Sequence, residues 1–103
     1  MSLDDVYYKL TYADRVTDSL LQIARRSYAI GRVVEVRDAA RLVDNWLRAD
    51  PESFGEPFRD HLYMGQTEFI GFAGPLVVRY NVHFEWRHVF LLAPFRVARW
   101  AGF

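Results

Sequence analysis

The sequence predicts a small α+β domain with the element order β-α-α-β-β-β, in which an antiparallel sheet carries a two-helix hairpin on one face. Three observations support this class. Apolar residues alternate near the N-terminus, recur at helical spacing through residues 14–50, and alternate again between turn residues in the last third. At 103 residues, the chain fits one domain spanning residues 1–103.

The first half of the chain predicts one strand and two helices. Residues 6–12 alternate and are rich in aromatic residues, which favours a strand. Asp14 suits a helix start and Gly31 a helix end. The apolar positions of the first helix are Val16, Leu20, Ile23, Ala24 and Ser27. Those of the second helix are Val36, Ala40, Val43 and Leu47, and Pro51 ends that helix at Asp50.

The second half of the chain predicts a connection followed by strands. Residues 50–66 contain two prolines and two glycines and predict an irregular connection, with a short turn of helix around residues 58–62. Residues 67–73, 76–83 and 87–93 predict three strands, and residues 95–100 an extension of the last one.

Parity assigns the faces of the last hairpin, provided that its turn contains an even number of residues. One face is then apolar and packs against the helices: it carries Val78, Tyr80, Val82, Val89, Leu91 and Ala93. The other face carries Arg79, Asn81, His83, His88, Phe90 and Leu92. Arginine, imidazole and aromatic rings together suit an anionic ligand that bears bases, although a solvated sheet face can look the same.

Composition narrows the function classes. The absence of cysteine excludes disulfides, thiolate catalysis and cysteine-ligated metals. Thirteen basic and thirteen acidic residues balance, but residues 1–58 carry a net charge of −2 (eight basic, ten acidic) and residues 59–103 a net charge of +2 (five basic, three acidic). The three histidines lack metal-ligand spacing, so neither a metal nor a cofactor is expected. Without a membrane-spanning run or a signal-like N-terminus, a cytoplasmic location is expected.

The element order and several short motifs resemble the RelE/ParE toxin superfamily, which includes plasmid-stabilisation proteins. The likeness covers nearly the whole chain. It is carried by an Ala-Asp helix start at residues 13–14, DPESFGEP at residues 50–57, GPLVVRYNV at residues 74–82, the strand at residues 89–92, and Pro-Phe-Arg at residues 94–96.

The resemblance implies the toxin component of a type II toxin–antitoxin system, paired with a cognate antitoxin protein. RelE-like members cleave mRNA on the ribosome without a metal, using the RNA 2′-hydroxyl as the nucleophile, whereas ParE-like members act on DNA gyrase. By position, Arg96 matches an arginine near the last strand of RelE-like toxins, and Tyr80 matches a strand tyrosine with a structural role.

These considerations select the candidate site residues. Arg79, His83, His88 and Arg96 are the candidate catalytic residues. Asn81, Arg87, Phe90, Arg99 and Trp100 are the candidate residues for binding nucleic acid or a partner protein. Exposed aromatic residues near the C-terminus also suit contact with a second copy in a homodimer.

Three alternatives to a ribonuclease stay open. Val77 stands where RelE-like toxins commonly carry arginine, the lysine-rich segment entering the sheet has no counterpart, and Trp100 replaces a tyrosine near the C-terminus. These departures favour a non-catalytic protein-interaction module of the same fold or a ParE-like gyrase inhibitor. The other alternative is a small-ligand protein that uses the sheet face as a pocket.

Overall fold

The computed structural model describes residues 7–61 and 64–103 and confirms the α+β architecture, with a helical hairpin packed on a sheet. The helices are α1 (Asp14–Ala29), α2 (Val33–Ala49) and the short α3 (Pro51–Phe54). The strands are β1 (Lys9–Tyr12), β2 (Glu56–His61), β3 (Gln66–Ala73), β4 (Leu76–His83), β5 (His88–Leu91) and β6 (Arg96–Val97). A 3-10 turn follows at Arg99–Ala101.

The boundaries of the helical hairpin match their sequence signals. Gly31 has a φ of 74°, the left-handed conformation that lets the chain leave α1 and enter α2. Pro51 ends α2, because Asp50 before it is held outside the helical region at φ −156° and ψ 75°. The Asp50 carboxylate then accepts a hydrogen bond from the Ser53 backbone N–H at 3.3 Å and caps α3.

The sheet has the strand order β1-β5-β4-β3-β2, and β6 pairs with β4 beyond the end of β5. Strands β3, β4 and β5 pair antiparallel in chain order, as predicted. β2 also pairs antiparallel with β3, whereas β1 runs parallel to β5. The alternation of apolar residues in β1 indicates which side chains share a face of the sheet. It does not indicate which strand β1 pairs with or in which direction. The sheet is therefore mixed at this one edge.

The connection between the helices and the sheet contains a strand that the sequence analysis did not predict. The turn of helix predicted around residues 58–62 is wrong, because residues 58–61 belong to β2. Residues 62 and 63 lie outside the described residues, as does Val6 of the predicted first strand. This edge strand is exposed along five of its six residues and bulges after Pro57. An exposed edge strand has no buried side, so no apolar alternation marked it.

The core lies between the helical hairpin and one face of the sheet. The register pairs Val82 with Val89 and His83 with His88, which confirms the predicted parity. Val78, Tyr80, Val82, Val89 and Leu91 are each at most 1% exposed. They pack against buried residues of α1 and α2: Val16, Ile23, Val36, Val43 and Leu47. Within the described ranges, no helix is long and apolar enough to cross a membrane.

Candidate functional site

The sheet face turned away from the helices carries Arg79, Asn81, His83, His88 and Phe90, and we call it the open face. Asn81 lies directly opposite Phe90 and His83 directly opposite His88, so the predicted grouping of these side chains is confirmed. Four of the five are half-buried and His83 is buried. The fold therefore places guanidinium, amide, imidazole and aromatic groups on one surface.

Glu68 on β3 organises the charge at the centre of the open face. Its side chain is 9% exposed, and its Oε2 accepts hydrogen bonds from Arg79 Nε at 3.1 Å and Nη2 at 2.5 Å. Its Oε1 lies 3.1 Å from His61 Nε2. Burial by itself raises the pKa of Glu68, but the hydrogen bonds from Arg79 and His61 outweigh burial and hold the pKa below its ordinary value. The ionised carboxylate offsets much of the charge of Arg79.

His88 lies at the end of the open face next to β1. Its Nε2 is 2.7 Å from Thr11 Oγ1, and its ring stacks on Phe90 with the centroids 4.1 Å apart. Burial lowers the pKa of His88, and the nearby Lys9 and His83 lower it further. A lowered pKa favours the neutral imidazole, the form that is able to accept a proton.

His83 is enclosed at the same end of the sheet. Its ring stacks on Trp86 with the centroids 4.0 Å apart, and its Nδ1 accepts a hydrogen bond from the Trp86 backbone N–H at 3.1 Å. Gly65 packs closely against another side of the His83 ring, since a Cβ added at Gly65 would lie only 3.0 Å from His83 Nε2. His83 is 5% exposed, so in this arrangement it fixes the turn between β4 and β5.

The remaining candidate residues spread towards the two ends of the sheet. Arg87, in the turn between β4 and β5, has a φ of 51° and places its guanidinium 4.3 Å from the centre of the Tyr8 ring. Arg96 lies directly opposite Val77, six residues along β4 from the His83–His88 pair. At about 3.4 Å per residue, that separation is about 20 Å. Arg96 and His88 therefore cannot contact one phosphate together.

Arg99 and Trp100 belong to the 3-10 turn near the C-terminus, and Trp100 is 70% exposed. This turn is tied to the helical hairpin, because Arg32 donates a hydrogen bond to the Ala101 carbonyl and lies 4.6 Å from the centre of the Phe103 ring. The Ala98 N–H also bonds the Pro75 carbonyl at 2.8 Å. Arg99 and Trp100 therefore lie beyond the end of the open face that is far from His88.

A cavity of about 320 Å³ opens between the open face and the chain after β5. Arg15, Glu68, Arg79 and Asn81 line it together with residues 92–94. Arg15 reaches it from α1 and donates a hydrogen bond through Nε to the Leu92 carbonyl at 2.5 Å. Two guanidinium groups and an amide bring hydrogen-bond donors to this cavity, and Glu68 offsets part of their positive charge.

Sequence reasoning missed Glu68, His61 and Arg15. A signal for Glu68 was present: it is the one acidic residue in the predicted strand at residues 67–73, where a carboxylate on a half-buried face requires a partner. His61 lies on the edge strand that was not predicted, and Arg15 reaches the cavity only through tertiary packing. Across residues 7–61 and 64–103, no three metal-ligating side chains cluster.

Comparison of the chain with protein-family models, curated proteins and solved structures gives no match, so its function is inferred from its own residues.

Proposed function

We propose that this chain is the cytoplasmic toxin component of a RelE/ParE-like toxin–antitoxin pair, and that it acts on mRNA through the open face. One observation carries the proposal: the face that the helices leave free holds Arg79, Asn81, His88 and Phe90 on adjacent strands. Arg79 is bound by Glu68, Asn81 donates a hydrogen bond to Gln66, and His88 lies 2.7 Å from Thr11 Oγ1, so these polar side chains are held in place on the face.

The side chains of the open face match the needs of RNA binding. Arg79, Arg96 and the nearby Lys9 supply positive charge for phosphates, and the Phe90 ring offers a stacking surface for a base. The rows of His88 and Arg96 are about 20 Å apart, a length that covers several nucleotides of a single strand. The open face therefore suits an extended strand better than a compact nucleotide.

His88 is the best-placed general base on this face. Its neutral imidazole accepts the proton of an RNA 2′-hydroxyl, whose oxygen then attacks the adjacent phosphorus. The bond from phosphorus to the 5′ oxygen breaks, and that oxygen takes a proton from water. The products are a 2′,3′-cyclic phosphate and a 5′-hydroxyl.

A second candidate function is non-catalytic binding to a protein, with DNA gyrase as the target if the chain is ParE-like. Two observations favour it: Glu68 already offsets the charge of Arg79, and Trp86 covers His83. Both reduce what the face offers to a phosphate. The two candidates predict different products in cells, so one expression experiment separates them.

The test is induced expression in a bacterial culture, followed by growth and by mapping of mRNA 5′ ends. We expect growth arrest with new 5′-hydroxyl ends, both relieved by His88→Ala and by Arg96→Ala. Arg25→Ala, an exposed arginine on α1, is the matched control and should arrest growth like the wild type. Circular dichroism establishes that each variant is folded.

Two outcomes contradict the mRNA proposal. Growth arrest without RNA cleavage, together with loss of gyrase supercoiling activity, contradicts the mRNA proposal and favours the gyrase-binding alternative. No arrest from a folded, soluble protein contradicts any toxin function.

A further inference from the structure

The groove between the two long helices is a second concave surface, distinct from the open face. It has a volume of about 730 Å³. Its apolar lining comes from Leu20, Leu21 and Ala24 on α1 and from Val33, Val36 and Ala40 on α2. We call it the hairpin groove. Leu21 is 53% exposed although it lies within this apolar lining. An exposed apolar surface of this kind is typical of a binding site.

The charge that remains free along this groove is positive. Arg37 and Arg41 lie one turn apart on α2, line the groove and are exposed. Arg37 approaches Asp38 only to 3.8 Å, with both side chains more than half exposed, so that ion pair contributes little. Arg41 has no hydrogen-bond or ion-pair partner among the described residues.

The acidic residue on the groove is already engaged. Asp44 accepts hydrogen bonds from the Tyr12 hydroxyl at 3.0 Å and from Arg48 Nε at 2.9 Å. The Arg48 guanidinium therefore offsets much of its charge. An apolar floor beside two arginines spaced i and i+4 is complementary to a helix with an apolar stripe and acidic residues beside it.

We propose that the hairpin groove binds an amphipathic helix of another protein, whose apolar side chains fill the groove and whose acidic residues, one turn apart, pair with Arg37 and Arg41. This assigns a second binding surface and does not depend on the function of the open face. The two helices that form the groove are 16 and 17 residues long, about 25 Å at 1.5 Å per residue, which accommodates four turns of a partner helix.

Charge disfavours a second copy of this chain as the occupant. A second copy of this chain docked groove to groove brings the same arginine-bearing rims together, and like charges at an interface are costly.

The test uses two synthetic helical peptides of about 18 residues, each with leucine at positions i, i+4, i+7 and i+11. One carries glutamate beside the leucine stripe and the other carries lysine there. Fluorescence anisotropy with the full-length protein should show about tenfold tighter binding of the glutamate peptide at low salt. The double variant Arg37→Glu with Arg41→Glu should reverse this preference, and Leu21→Asp should weaken both peptides.

Arg25→Glu with Arg26→Glu is the matched control, because these arginines lie on α1 and do not line the groove. It should leave the preference for the glutamate peptide intact. Thermal unfolding by circular dichroism establishes that each variant is folded. Equal binding of both peptides, no binding of either, or an equal effect of the control variant overturns the proposal. A concentration-dependent dimer that Leu21→Asp dissociates overturns it in favour of a second copy.

Discussion

Glu68 and Arg79 lie diagonally across β3 and β4, with two guanidinium nitrogens of Arg79 at 2.5 and 3.1 Å from the same carboxylate oxygen of Glu68. The Glu68 side chain is 9% exposed and that of Arg79 is 41% exposed. The buried carboxylate thus holds an accessible cation in place and offsets much of its charge. This pair sets how strongly the centre of the open face attracts an anion.

Replacement of Glu68 by glutamine should strengthen RNA binding. Glu68→Gln keeps the shape of the side chain but leaves the charge of Arg79 uncompensated, so affinity for a short single-stranded RNA should rise severalfold at low salt. Fluorescence anisotropy measures the change. Asp18→Asn on α1 is the control, since it makes the same change in net charge away from the face. An equal gain in both variants contradicts a specific role of the Glu68–Arg79 pair.

Stability should fall in acid because of Glu68. Its pKa is lower in the folded chain than in the unfolded one, so its contribution is fully present above the unfolded pKa of about 4.3. That contribution disappears as the pH falls through the folded pKa. Urea unfolding between about pH 6 and pH 3 should therefore show a larger loss of stability for the wild type than for Glu68→Gln. Parallel losses in the two proteins contradict this assignment.

Tyr80 should prove to be structural. It is fully buried, stacks on Phe69 and donates its hydroxyl proton to the Pro51 carbonyl at 2.6 Å. Tyr80→Phe leaves that carbonyl without this donor and should reduce the free energy of unfolding by about 1–2 kcal/mol. Urea unfolding measures the effect. Tyr28→Phe is the control, because Tyr28 is 76% exposed, and should change stability by less than about 0.5 kcal/mol.

The same close packing makes Gly55 sensitive to an added methyl group. A Cβ there would lie 2.5 Å from the Ile70 carbonyl oxygen and 2.7 Å from the Tyr80 hydroxyl. Gly55→Ala should therefore destabilise the fold by about 1–3 kcal/mol, as judged by the urea midpoint. An unchanged midpoint contradicts this account of how α3 meets the sheet.

His88 should titrate below the ordinary histidine value. Burial, Lys9 and His83 all lower its pKa, so an NMR titration of the ring protons should give a midpoint below about 6.5. Lys9→Gln removes one of the like charges and should move the midpoint upwards. A wild-type midpoint at or above the ordinary histidine value contradicts the lowered pKa that burial, Lys9 and His83 give His88.

Patterns set by local chemistry were predictable from the sequence. Helical spacing located α1 and α2, Pro51 located the end of α2, and alternation assigned the faces of β4 and β5. Features that depend on contacts distant in sequence were not. The parallel pairing of β1 with β5 was not predictable, because alternating apolar residues do not indicate which strand is the neighbour. The edge strand β2 was missed because it is exposed and has no alternating apolar residues.

The candidate site, like the fold, was predictable only in part. Parity placed Arg79, Asn81 and His88 on one face, but it did not reveal that Glu68 binds Arg79. The enclosure of His83 depends on Trp86 and Gly65, two turn residues whose positions follow from turn geometry. A list of polar residues on a face therefore does not say which of them are already paired.

The most direct test of the open face is the salt dependence of its binding to a short single-stranded RNA. We predict that the affinity of the wild type falls as salt rises, and that Arg96→Ala lowers the logarithmic slope by about 0.7, the loss expected for one phosphate contact to a single strand. Arg25→Ala on α1 should leave the slope unchanged. An affinity that ignores salt, or a slope that changes equally in both variants, contradicts RNA binding by this face.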